Sequence, residues 1–226
     1  MENDARQQSY TSVRSDIVHL VPPSARRILD VGCSNGALGH YLKSVANERL
    51  VCGIEFDPGF ADAAAQCLDQ VIHADVNLLD WQSALQGQIF DCIIFADVLE
   101  HLLHPRQVLA CAMQHLAPGG CVIISLPNVR HVSAFWSIFI QGRFPTRDRG
   151  LFDRTHLRWF TFADAQAMMR DLGLDTRDEV FSLRWRDQGG GLLNRALNRM
   201  PRQLQRLAPI RELLTYQMSF RAQARQ

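Results

Sequence analysis

Ile28-Leu29-Asp30-Val31-Gly32-Cys33-Ser34-Asn35-Gly36-Ala37-Leu38-Gly39 is the stretch that decides the fold. A short apolar run ends near a carboxylate, enters a glycine-rich turn and continues into a helical pattern. Glycines let the backbone approach a ligand and take dihedrals that other residues avoid. The start of the following helix offers free N–H groups. A dinucleotide fingerprint, GxGxxG, requires glycine at position 34, where this chain has Ser34. The spacing is instead Asp30-x-Gly32-x-Ser34-x-Gly36. A carboxylate two residues before the first glycine repels a pyrophosphate and attracts an amino or sulfonium group. The ligand is therefore expected to be cationic on that side, and an NAD oxidoreductase is disfavoured.

Outward from this stretch the chain alternates. Strand-like runs fall at 27–31, 50–55, 70–73, 89–95 and 120–126, with helical patterns near 36–46, 58–68 and 105–116. The runs are nearly continuous in apolar residues (Cys92-Ile93-Ile94-Phe95, Cys121-Val122-Ile123-Ile124), as strands covered on both faces are. The alternation predicts a parallel, doubly wound α/β sheet. Pro118-Gly119-Gly120 reads as the turn into the fifth strand. After Pro127 the rhythm changes to a helix-like, bulky apolar stretch at 129–140 and an arginine-rich loop. A helix follows, with Thr161 as N-cap, Asp164 three residues on and Gly173 as its stop. Residues 174–184 and 213–222 read as strands. Gly189-Gly190-Gly191 breaks the chain, and 192–207 reads as a basic amphipathic helix. One domain spanning 1–226 is expected, with a donor-binding half at 26–127, and acceptor loops and a lid at 128–160 and 185–212.

The 226 residues, 21% charged and 47% hydrophobic, have the composition of an ordinary globular protein. A net charge of +1 carries no footprint of a general nucleic-acid binder, and no nucleic-acid partner is expected. That average conceals a split. Residues 1–127 carry 7 basic and 14 acidic side chains, and residues 128–226 carry 17 basic and 9 acidic. Such asymmetry means that the two halves meet different things. The polar start with Glu2 and Asp4 is no secretory signal, and no stretch approaches the ~20 apolar residues of a membrane span. Six scattered cysteines without a CxxC pair read as reduced core thiols, so a cytoplasmic location is expected.

Two further carboxylates fall in register with Asp30. Glu55 ends the second strand, where it can accept hydrogen bonds from both hydroxyls of a ribose, and Asp75 follows the third. With these three carboxylates at successive strand ends, the chain resembles the class I S-adenosylmethionine-dependent methyltransferases, and more narrowly a subgroup associated with bacterial polysaccharide and lipopolysaccharide assembly. Residues 28–39 resemble the family's first motif, with Ser34 in place of the middle glycine. Val51–Pro58, the Asp75 region, Phe90–His101 and Leu116–Pro127 resemble the motifs that follow. The resemblance implies a Rossmann-like, mostly parallel seven-stranded sheet with an antiparallel last strand, and helical insertions after strand five and between strands six and seven. It implies S-adenosylmethionine as the methyl donor and S-adenosylhomocysteine as product. Asp30, Gly32, Ser34 and Gly36 would surround the methionine moiety, Glu55 would hold the ribose, Phe56 would flank the adenine and Asp75 would bind its amine. Asp97 would lie beside the donor methyl.

Methyl transfer from a sulfonium also needs a positioned acceptor and, often, a base. His101 and His156 are the expected catalytic residues. Asp97-Val98-Leu99-Glu100-His101 resembles the Leu-Glu-His segment of ubiquinone-pathway O-methyltransferases. It also resembles the metal-binding segment of small-RNA 2′-O-methyltransferases, where Asp97, Glu100, His101 and His156 would be ligands. Asp97 departs from that pattern's glutamate, and no metal is expected. Asp153–Thr161, with Leu126–Val129 and Gly142–Phe144, carries the polysaccharide resemblance. Arg130, Arg143, Arg147, Arg149, Arg154 and Arg158, beside the apolar Phe135, Trp136 and Phe139, suit an anionic acceptor: a sugar, a lipid-linked glycan or another small molecule. Three alternatives remain: a ubiquinone-like phenol methyltransferase, a binding protein of this fold without catalysis, and membrane contact through the basic segment 192–207.

Overall fold

The computed structural model describes residues 13–186 and 191–225. Seven strands form one sheet: β1 (Arg27–Val31), β2 (Leu50–Glu55), β3 (Gln70–His73), β4 (Phe90–Ala96), β5 (Leu116–Pro127), β6 (Leu174–Leu183) and β7 (Thr215–Ala224). Their order is β3-β2-β1-β4-β5-β7-β6, and only β7 runs antiparallel to its neighbours. The expected seven-stranded Rossmann-like sheet is present.

Both faces of the sheet are covered, which is why its strands are apolar throughout. On one face α1 (Ser15–Leu20), α2 (Ala37–Ser44) and α3 (Pro58–Ala64) pack Ile17, Leu20, Leu38, Leu42 and Ala64 over Ile28, Val51, Cys92 and Ile123. On the other face lie α4 (Trp81–Leu85), α5 (Pro105–Met113) and α7 (Phe162–Asp171). There Trp81, Leu109, Phe162 and Met168 cover Leu29, Ile93, Val122 and Phe220. Between β5 and α7, α6 (Val132–Phe135) runs directly into a wider-pitch turn at Trp136–Ile140. Caps fix the helix starts. Asp57 accepts from Phe60 N–H at α3, and the expected capping box at α7 is complete, Thr161 and Asp164 bonding each other's backbone N–H groups.

Two expectations change. The 192–207 helix divides into α8 (Gly191–Asn198), α9 (Arg202–Gln205) and, beyond it, α10 (Ala208–Leu214). Pro201, which lacks an N–H and disfavours helical backbone before it, stands at the break. Pro118-Gly119-Gly120 lies within β5, where the pairing with β4 shifts register between Phe90 and Cys92 and Gly119 takes φ +78°. Gly189 and Gly190 fall outside the described residues, so the expected break there goes undescribed. The six cysteines are all free thiols. Among the described residues no helix is long and apolar enough to cross a membrane.

Candidate functional site

Parallel strands end on one side of the sheet, and four carboxylates follow the sheet order there: Asp75 after β3, Glu55 on β2, Asp30 on β1 and Asp97 after β4. A cleft of 2440 Å³ opens over these ends and includes all four in its lining, with Gly32, Ser34, Phe56, His101 and His156. Gly36 stands just behind the loop, at the N-cap of α2.

The β1–α2 loop owes its shape to three successive positive φ angles, Gly32 at +72°, Ser34 at +49° and Gly36 at +78°. Gly32 is also required by space, because a Cβ there would stand 2.5 Å from Val98 Cγ2. The middle position tolerates serine at the strain of a left-handed backbone. Ser34 N–H donates to Glu55 Oε2 at 2.8 Å, and Phe56 and Asp57 N–H both donate to Oε1 at 2.9 Å. Three amides thus lock the Glu55 carboxylate in place, and Oε2 retains a lone pair for a hydroxyl. Beside it Phe56 is 69% exposed, its ring available to a planar ligand. Asp75 Oδ1 accepts from the backbone and side-chain nitrogens of Asn77, both at 2.9 Å, which fixes that carboxylate at the cleft wall.

Asp30 is only 2% exposed, and no cation among the described residues pairs with it. Burial, then the charge of Glu55, raises its pKa to about 7. Ser34 Oγ is buried without a hydrogen-bond partner. An unneutralised buried acid and an orphaned hydroxyl on one loop fit a ligand that brings a positive charge and polar hydrogens.

Asp97 has a different setting from the one expected. Its backbone takes φ +59°, and its side chain is bound by Arg14, Ser125 Oγ and Gln217 Nε2. The same Arg14 guanidinium holds Asp16 through Nε at 2.9 Å and Nη2 at 2.8 Å, and Nη2 also reaches Ser125 Oγ at 2.8 Å. Burial opposes the Arg14 charge, but Asp97 and Asp16 overcome it and keep the guanidinium protonated. Asp97 therefore ties the start of α1 to β4, β5 and β7, and it lines the cleft.

His101 and His156 come together although 54 residues separate them, their ring centroids 4.8 Å apart at 73°. His101 closes a single tight turn, Leu99–His101, and the Glu100 carbonyl on that turn accepts from Leu157 and Arg158 N–H, pinning the distant loop against it. The hydrogen bonds fix both tautomers. Thr155 Oγ1 donates to Asp153 Oδ1 at 2.7 Å, so its one hydrogen is committed. Thr155 Oγ1 and the Thr155 carbonyl can then only accept from His101 Nδ1, at 3.0 and 3.2 Å. His101 Nδ1 carries the hydrogen, so in the neutral ring Nε2 has the lone pair. His156 Nδ1 lies 3.2 Å from the Leu151 carbonyl, with the same consequence. Burial, then the neighbouring His101, lowers the His156 pKa. Burial alone would raise the Asp153 carboxyl, but the hydrogen bonds from Thr155 hold it low and charged.

Glu100, 1% exposed, lies against this pair with Oε2 unpartnered. Burial and then the Asp97 charge raise its pKa well above the carboxylate range. One oxygen of Glu100 and one nitrogen of each imidazole lie within 4.8 Å of one another, a donor set that suits a divalent cation. Asp97, the fourth residue of the sequence pattern, is not part of that group.

The sequence did not single out Arg14, Thr155, Arg184 or Tyr216. Arg184, just past β6, stacks its guanidinium 4.1 Å over the Tyr216 ring on β7, and both line the cleft. Of the arginines expected to serve an acceptor, Arg147 and Arg149 line the cleft. Arg154 pairs with Asp148, Arg130 with Glu212, and Arg158 donates to the Leu103 carbonyl. From the segment expected to be a lid, Asn198, Met200, Arg202, Gln205 and Arg206 reach the cleft.

Residues 5–179 match a family described as a methyltransferase domain. A ubiquinone biosynthesis O-methyltransferase of Pasteurella multocida is 30% identical over 132 residues, 53% of this chain and 52% of that protein. One from Thiobacillus denitrificans is 26% identical over 163 residues, 70% and 68% of the two chains. The chain thus spans about half the length of the first relative. Among solved structures, the magnesium protoporphyrin IX methyltransferase of Synechocystis, with S-adenosylhomocysteine bound, shares the fold at TM-score 0.60 and 17% identity, over 97% of this chain and 83% of that one.

Proposed function

Since this chain belongs to the methyltransferase domain family and takes S-adenosylmethionine as its donor, we propose that it methylates a hydroxyl of an anionic acceptor such as a sugar or a lipid-linked glycan. The observation that carries the acceptor class is the presence of Arg147, Arg149 and Arg184 in the lining of the cleft. When bound, the donor supplies an electrophilic methyl on a sulfonium. Asp30 and the Ser34 hydroxyl hold the methionine end with Gly32 and Gly36 shaping the loop. Glu55 would take a ribose hydroxyl, and Phe56 and Asp75 would take the adenine. Asp97 supports that wall through Arg14. His101, hydrogen-bonded through Nδ1, would offer its Nε2 lone pair to the acceptor hydroxyl and receive its proton as the methyl passes to oxygen, the sulfur–carbon bond breaking with its electron pair left on sulfur. His156 flanks the acceptor in the same tautomer.

The names of the curated relatives favour a second reading, a ubiquinone-like phenol as acceptor. Release of S-adenosylhomocysteine, measured against a panel of sugar nucleotides, sugar acids and neutral catechols, separates the two. Turnover is expected with anionic acceptors. Arg184→Ala is expected to raise their KM about tenfold or more, and His101→Ala to lower kcat by about 10²–10⁴, both with donor affinity retained. Turnover with catechols alone, untouched by Arg184→Ala, overturns the anionic reading.

A further inference from the structure

The helix after β5 is turned inside out. Over Val132–Ile140 the small residues Ala134 and Ser137 face the protein, while Phe135, Trp136, Phe139 and Ile140 are 50%, 56%, 72% and 56% exposed. A surface helix ordinarily does the opposite. Phe135 and Phe139 stack on each other, centroids 5.3 Å apart, so the outer side chains form a ridge rather than scattered contacts. Phe144, also 56% exposed, follows Gly142 and packs edge-on against Phe152 and Trp159. Contiguous exposed apolar surface of this kind marks an interaction site.

The surroundings state the partner's charge. Arg143 follows the ridge directly, and around it Arg130 pairs with Glu212, Arg154 with Asp148, and Arg158 with the Leu103 carbonyl, while Arg147 and Arg149 line the cleft, so basic side chains outnumber acidic ones here. Of the two acids in the same stretch, Asp153 is buried and Asp148 is paired with Arg154. A second copy of this chain on the ridge would set arginines against arginines. An anionic lipid surface satisfies both features at once: aromatic rings settle at the headgroup–acyl boundary, and guanidiniums meet the phosphates.

We propose that Val132–Phe144 docks this protein onto the face of an anionic lipid bilayer, without crossing it. The basic segment 192–207, one alternative for membrane contact, breaks at Pro201 and contributes Arg202, Gln205 and Arg206 to the cleft. Arg147 and Arg149, on the loop that follows the ridge, line the cleft, so docking brings the acceptor end of the site to the membrane surface. The proposal concerns the surface alone, and does not depend on which acceptor is methylated.

Flotation of the full chain with phosphatidylcholine vesicles, with and without phosphatidylglycerol, tests it, alongside the molar mass in solution. Binding is expected to the anionic vesicles only, and to weaken as salt rises. Phe139→Glu is expected to lower the partition coefficient about tenfold or more, with unchanged circular dichroism and donor affinity. Arg143→Glu is expected to reduce it as well. Absence of binding to either vesicle, or binding unchanged in Phe139→Glu, overturns the proposal. So does a dimer that Phe139→Glu converts to monomer without any vesicle binding, since a second copy would then cover the ridge.

Discussion

Replacing Asp30 with asparagine tests the donor site at its most unusual residue. Its carboxyl is buried and its pKa stands at about 7 against an ordinary 3.8. Each pKa unit corresponds to about 1.36 kcal/mol, so holding the ionised group in the ligand-free fold costs about 4 kcal/mol relative to the unfolded chain. The sign follows from proton counting. Between about pH 4 and 7 the folded protein keeps a proton that the unfolded chain has released, so stability falls as pH rises through that window and levels off above 7. For a chain of this size, each pH unit inside the window corresponds to about 3–5 °C in Tm. A cationic donor prefers the ionised form, so its affinity is expected to drop about tenfold per pH unit below 7 and to be flat above. Asp30→Asn keeps the shape and removes the charge. At pH 8 the variant is expected to melt higher than the parent, by the ~4 kcal/mol less the 1–3 kcal/mol for a buried amide short of partners, and to bind the donor poorly at every pH. Thermal melts and donor calorimetry across pH 5–8.5 provide the readings, the difference between the two proteins isolating Asp30 from other titrating groups. If the difference in Tm is constant across pH 5–7, or donor affinity shows no break near 7, the reasoning is refuted.

Gly32→Ala is expected to cost about 1–2 kcal/mol from its left-handed φ alone, more from the 2.5 Å approach to Val98 Cγ2, and most of the donor affinity. Adding Val98→Ala should restore part of both in thermal melts and calorimetry; no restoration would show that the contact is not the cause. Arg14→Ala removes the bridge among Asp16, Asp97 and Ser125 and is expected to lower stability in urea titration by about 1–3 kcal/mol. Arg14→Lys should fail to recover it, because a lysine cannot span three partners as a planar fork does; full recovery by lysine would contradict that account.

The central strands could be read in advance because covering both faces forces an unbroken apolar run, and Cys92–Phe95 and Cys121–Ile124 have one. The carboxylate row was legible for a related reason: strand ends in a parallel sheet lie side by side, so Asp30, Glu55 and Asp75 needed only correct strand boundaries. What escaped was built by contacts between residues far apart in the chain. α1 is a single short turn and a half without a side-chain cap, and Arg14 acquires its role only when β4, β5 and β7 meet it. Thr155 sets the His101 tautomer across 54 residues, and Arg184 finds the Tyr216 ring from a neighbouring strand. Two signals were in the sequence and carried less weight than they should have. Asp80 before Trp81 is the N-cap of α4, which no expectation included, and Pro201 marks the division of 192–207. The inverted helix at 132–140 shows a limit of composition: bulky apolar residues announce a helix but not the side it will bury.

The place of β7 bears on how such a protein is made. The last strand in sequence lies between β5 and β6, pairs with both, and brings Tyr216 and Gln217 to the cleft. During vectorial synthesis, β6 therefore leaves the ribosome well before the strand that must pair with it. Until Thr215–Ala224 follows, β5 and β6 each present an unpaired edge open to the wrong partner. The donor half can assemble early from neighbours that arrive in succession. The wall that faces the acceptor is completed only when β7, the last of the seven strands in sequence, appears, so a nascent chain of this fold can hold a formed donor pocket before it has a finished place for chemistry.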